Sequence, residues 1–119
     1  SIRIHNDELQ QKMFDSLGVV IVGSDTDMNV IYANEKSRKT FKDMPNQGNI
    51  VGTSLTEYHK PETVEIIKSL FNAFRNKEKK LDYYKMELPG GKATVVQIPF
   101  YDNEEFAGAV EFIFESGLE

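Results

Sequence analysis

Gln97 is the one strongly polar side chain inside the apolar run Thr94-Val95-Val96-Gln97-Ile98. An amide among apolar neighbours can donate and accept at once, which suits it to orienting a small polar molecule. Strand alternation puts Gln97 on the face it shares with Val95; in the opposite register it stands on the surface. Groups for turnover are scarce. The chain has no cysteine, hence no thiolate nucleophile, thiolate metal site or disulfide framework. His5 and His59 are far apart, and there is no His-Glu-x-x-His spacing, phosphate loop or nucleophile elbow. These residues fit binding and relay better than catalysis.

The elements that must position them follow from hydrophobic spacing and caps. Asn6 can cap a helix running to about Ser16, with Leu9, Met13 and either Phe14 or Leu17 on one stripe and Asp7 and Glu8 near its positive end. That helix either covers the core or pairs with its copy in a dimer. Residues 18–23 are almost continuously apolar and β-branched, and Asp25-Thr26-Asp27 is turn chemistry leading into residues 29–33, so the two runs form a hairpin. Asn34 is a good N-cap for a short helix over residues 35–41. Residues 43–52 are rich in Pro, Asn and Gly and read as a loop with at most a turn of helix. Ser54 and Glu57 have the spacing of a capping box, and Pro61 opens the longest helix, whose Val64, Ile67, Phe71 and Phe74 form one stripe. Three alternating runs follow, at residues 81–88, 93–101 and 106–114, turned at Pro89-Gly90-Gly91 and Asp102-Asn103-Glu104. The order is β-β-α-α-α-β-β-β.

With 119 residues the chain is one domain, with residues 1–17 as leading helix and 18–115 as core. A hydrophobic fraction of 39% with eight Phe and five Tyr supplies that core. The net charge of −5 gives no footprint for nucleic acid or anionic lipid, and Lys77, Lys79 and Lys80 read as a solvated loop. No apolar run approaches the roughly 18 residues of a membrane span, and the first residues do not read as a signal peptide. The start without Met and the ending Ser116-Gly117-Leu118-Glu119 suggest a piece of a larger signalling protein.

In this order and spacing, over roughly Leu9 to Glu115, the chain resembles a PAS domain. The matching segments are Gly18-Val19-Val20-Ile21-Val22 with Asp25, Val30-Ile31-Tyr32-Ala33-Asn34 and Val51-Gly52-Thr53-Ser54-Leu55, then Gly90-Gly91, Ile98-Pro99 and Phe106-Ala107-Gly108. Tyr58-His59-Lys60-Pro61-Glu62 resembles a narrower bacterial group with a His-x-Pro motif before the long helix. The resemblance implies an α+β fold, a five-stranded antiparallel sheet of order 2-1-5-4-3 with short helices and one long helix on a face, and a cavity between them. It also implies signalling through homodimers and flanking helices to an effector domain outside this chain, in a cytoplasmic protein without catalysis of its own.

The cavity walls implied are Val64, Ile67 and Phe71 from the long helix, with Tyr84, Met86, Val95, Gln97, Val110 and Phe112 from the strands; alternatively these side chains fill the space. Leu9 and Met13 are the expected dimer contacts. Haem is a named alternative, with His59 as axial ligand and Met86 opposite; otherwise His59 orients the start of the helix and Met86 fills core volume. Flavin is disfavoured, because residues 35–41 lack the reactive Cys of flavin photoreceptors and Val110 occupies the place of their Gln. A cone-shaped α+β isomerase-like enzyme is the competing class, which a buried carboxyl with a raised pKa beside a cavity would revive.

Overall fold

The computed structural model describes residues 2–88 and 90–115. Its strands β1 (Val20–Asp25), β2 (Val30–Ala33), β3 (Asp82–Leu88), β4 (Gly91–Asp102) and β5 (Glu105–Phe114) form one antiparallel sheet in the order β2-β1-β5-β4-β3. Helices α1 (Ile2–Ser16), α2 (Glu35–Thr40) and α3 (Pro61–Arg75) complete it, with 3₁₀ turns at Pro45–Gly48 and Leu55–Tyr58. The expected class, sheet order and element sequence are all present. Pro89 and residues 116–119 lie outside the described residues, so the proline of the expected Pro89-Gly90-Gly91 turn and the closing Ser116-Gly117-Leu118-Glu119 are not placed.

Local chemistry accounts for the joints. Asp25 Oδ1 accepts from the N–H groups of Asp27 and Asn29, each at 2.9 Å, which closes the β1–β2 hairpin. Asn103 and Glu104 both take positive φ, 49° and 67°, the twist-matched geometry of a tight hairpin between β4 and β5. Ser54 and Glu57 form the expected box: the Thr56 N–H donates to Ser54 Oγ at 3.2 Å, and the Ser54 N–H to Glu57 Oε2 at 2.8 Å. One expectation fails. The first helix begins at Ile2, not at Asn6; residues 2–5 contain neither Gly nor Pro, and extending a formed helix costs less than starting one.

Two apolar clusters sit on the inner face of the sheet. One joins Val20, Val22, Val30, Ala33, Ile50, Ala93, Val95 and Ile113. The other gathers Val64, Ile67, Leu70, Phe71 and Phe74 of α3 against Met28 and Ala109. Phe106 packs edge-on to Phe71, with ring centroids 5.6 Å apart.

Gly108 shows how closely the strands approach. Its φ is 151°, and a Cβ there would collide with the Ser24 carbonyl oxygen of β1 and lie 2.8 Å from the Phe100 ring. Gly108→Ala is therefore expected to cost roughly 2–4 kcal/mol, because both backbone conformation and strand spacing would have to change. A urea unfolding curve measures it, and an unchanged midpoint would contradict it.

Candidate ligand-binding site

The inner face encloses a cavity of about 260 Å³. The sheet supplies Val22, Tyr84, Met86, Val95, Glu111 and Ile113; the opposite wall is Phe41, Met44, Ile50, Leu55, Tyr58 and His59. Tyr58 is held there by a 2.8 Å hydrogen bond between its hydroxyl and Thr53 Oγ1. Tyr84, on the edge strand β3, keeps 43% of its surface, so the cavity opens to solvent along this edge.

Of the residues anticipated from sequence, His59, Tyr84, Met86 and Val95 are brought together around this space. Gln97 does not itself line the cavity: it is buried, with 5% exposure, on the same face as Val95, and its Nε2 donates to Glu111 Oε2 at 3.4 Å behind the lining. Val64, Ile67 and Phe71 do not line the cavity. Their helix packs on the far end of β5, where Ala109 and Phe106 receive it, and their side chains fill the second cluster.

Val110 and Phe112 are on the wrong face altogether. Gln97 pairs with Glu111 and Val95 with Ile113, and facing residues of paired strands share a side of the sheet, so residues 110 and 112 point outward. They line a separate apolar groove of about 530 Å³ with Phe14, Ile21, Ile31 and Phe100, between α1 and the outer face. The flavin argument drawn from Val110 thereby loses its basis, since Glu111 and Ile113 are the β5 residues at the cavity. Sequence reasoning missed Glu111, although a lone charge in the apolar run 106–114 is the same signal that singled out Gln97.

Burial governs the electrostatics. It pushes the Glu111 carboxyl up to about 7. It also pushes the Tyr84 hydroxyl up to about 12, helped by the charges of Glu111 and Asp82. Partial burial lowers the His59 imidazole from its usual range. Haem does not fit this space: His59 and Met86 both face it, but about 260 Å³ is below even the roughly 300–1,000 Å³ of sites for drug-sized ligands. Among the described residues, no cluster of His, Asp or Glu has the makings of a metal site, and no helix is long and apolar enough to cross a membrane.

A second feature of the site is what borders it. Phe41 follows directly on α2, and α2 holds both ends of the fold. Arg38 reaches Asp15 of α1 at 3.3 Å, while Lys36 and Thr40 hold Glu115, just beyond β5, at 3.3 and 2.9 Å.

Comparison with known proteins gives consistent results. The family described as PAS domain matches residues 10–115. No curated protein sequence matches. Among solved structures, the PAS domain of a Colwellia psychrerythraea protein superposes with a TM-score of 0.66 at 22% identity, covering 92% of this chain and 95% of that one. The PAS domain of Bordetella pertussis BvgS gives 0.69 at 14% identity, with 95% and 88% covered. A sensory box sensor histidine kinase from Vibrio cholerae gives 0.60 at 12% identity, with 99% and 97% covered.

Proposed function

Because this chain belongs to the PAS domain family, we propose that it is a sensory module that binds a small molecule in the inner cavity and relays occupancy through α2 to the segments flanking the core. The observation that carries this reading is the position of Phe41, which lines the cavity and directly follows the helix that clasps Asp15 and Glu115. These clasps are partly exposed ion pairs near the surface, each worth on the order of 1 kcal/mol. Contacts of that size are easily exchanged, as a switch requires, provided that the ligand favours one arrangement over the other. The relay thus runs through the short helix rather than through α3, whose side chains fill the second cluster and do not line the cavity.

Glu111 meets the condition that would have revived an enzyme, a carboxyl with raised pKa beside a cavity. The sheet order and family membership support a PAS fold over the cone-shaped one. The hydrogen-bond partner of Glu111 is the Gln97 amide, which neither takes nor gives a proton, so we read Glu111 as a binding group. The expected result of native mass spectrometry on the purified domain is a bound small molecule, lost by unfolding. Hydrogen exchange in α1 and at Glu115 should differ between the loaded and stripped forms; identical protection would remove the relay.

Homodimerisation is part of the same proposal. Leu9 and Met13 are 63% and 50% exposed on α1, and Ile31, Ile98 and Phe100 are exposed on the outer face beside it. Apolar surface of this extent is what a second copy would cover. Leu9→Glu combined with Met13→Glu should convert a dimer to a monomer in sedimentation equilibrium. A wild-type chain that stays monomeric at high micromolar concentration would refute the dimer. The effector domain that would receive the signal lies outside this chain.

A further inference from the structure

We propose that the inner cavity recognises a small organic ammonium ion, with Glu111 as its counter-ion and the rings of Phe41, Tyr58 and Tyr84 as its walls. This rests on the ligand-cavity reading above and gives that ligand a chemical class.

The charge pattern selects for a cation. Among the described residues lining the cavity there is one carboxylate and neither lysine nor arginine. Asp82 shares the inner face of β3 with Tyr84 at the open edge, but Lys79 pairs with it at 3.4 Å and offsets its charge, so among the described residues the unpaired negative charge at the cavity is that of Glu111. His59, with its pKa lowered by partial burial, is neutral at pH 7 and does not compete for Glu111.

Glu111 is also under-used as an acceptor. A carboxylate can accept about four hydrogen bonds, whereas the bond it receives from Gln97 is long, at 3.4 Å. An ammonium group beside it would supply short, charge-assisted donors. Three aromatic rings around a single carboxylate favour a cation in the same space, since the ring faces are electron-rich. Met44 and Met86 complete the lining with polarisable, adaptable groups that suit an apolar substituent.

Ion pairing requires the ionised carboxylate, so binding at a pH below about 7 expels the Glu111 proton to solvent. The groups facing Glu111 are Tyr84 and Asp82 from β3, Gln97 from β4, and Tyr58 and His59 from the segment before α3. Of these, His59 can also take up a proton on acidification, although burial holds its pKa down, and its cationic form would oppose binding in the same direction.

The test compares three probes of one shape, cyclohexylammonium, cyclohexanol and cyclohexanecarboxylate, by calorimetry and amide chemical shifts. Cyclohexylammonium should bind preferentially at pH about 8.5 and move the amides of Tyr84, Gln97 and Glu111. Its affinity should fall roughly thirtyfold at pH about 5.5, where only about 3% of a group titrating near 7 is ionised. Glu111→Gln should weaken binding about tenfold or more at the higher pH and leave only the smaller pH dependence due to His59. The wild-type pH series does not depend on how well that variant folds. Equal binding of cyclohexanol, unaffected by Glu111→Gln, would overturn the ammonium assignment and leave a neutral-ligand cavity. Preference for the carboxylate would overturn it as well. If no probe binds at either pH, the ligand-cavity reading falls with it.

Discussion

Asn34→Ala is expected to destabilise the domain by about 3 kcal/mol and to free α1 from the core. Asn34 is fully buried, and its side chain makes four hydrogen bonds. Oδ1 accepts from Ser37 N at 3.0 Å, which caps α2, and from Ile21 N at 3.1 Å in β1. Nδ2 donates to Val19 O at 2.8 Å and to Phe14 O at 3.1 Å at the end of α1. That uses the full capacity of an amide, and the two N–H and two carbonyl partners fix which atom is oxygen. Loss of an N-cap costs about 1 kcal/mol, and each buried partner left unpaired adds about as much, less what water recovers in the space vacated. For a domain of this size the melting temperature should drop by roughly 10–15 °C. Hydrogen exchange at Phe14 through Leu17 should accelerate more than global unfolding requires. Asn34→Asp separates the roles: it keeps both acceptor bonds but sets a carboxylate against two carbonyl oxygens, so α1 should loosen while α2 stays capped. An unchanged midpoint for Asn34→Ala would show that the junction contributes nothing.

The second large effect has the opposite sign. Glu111→Gln should stabilise the protein at pH 8 by up to about 3 kcal/mol and have no such effect at pH 4. The carboxyl titrates at about 7 when folded, against 4.5 for the free group, so between these values the folded form binds the proton more tightly. Stability from this group is therefore fully present below about 4.5 and lost as the pH rises through 7. The shift of about 2.5 units, at 1.36 kcal/mol each, sets the upper bound. Urea unfolding of both proteins across this range isolates the group, because other carboxylates cancel in the difference. Parallel stability curves would contradict the assignment. A natural sequence that keeps a destabilising carboxyl beside a cavity matches the pattern of a residue retained for function rather than for stability.

The elements were legible because each carries a local signal. The caps at Asn34 and Ser54, the proline opening α3 and the turn residues at Asp25 and Asn103 act over a few residues, and all are present in the structure. The site was legible only in part. His59, Tyr84, Met86 and Val95 do surround the cavity, but Val64, Ile67 and Phe71 belong to a solid cluster beside it. A helical stripe announces that it will be buried without saying against what.

The amino-acid sequence determined by itself the order of elements, their caps and turns, and hence the class of fold, because hydrophobic period and capping are properties of neighbouring residues. Only the tertiary structure decided which face of β5 looks inward. That strand is apolar on both faces, at Ala109 and Ile113 as at Val110 and Phe112, so alternation alone offers no preference, and the pairing of Gln97 with Glu111 settles it. The same pairing turned an inconspicuous charge into the single carboxylate among the described residues that line the cavity. The second role of Asn34 likewise appears only when α1, β1 and α2 meet around one amide.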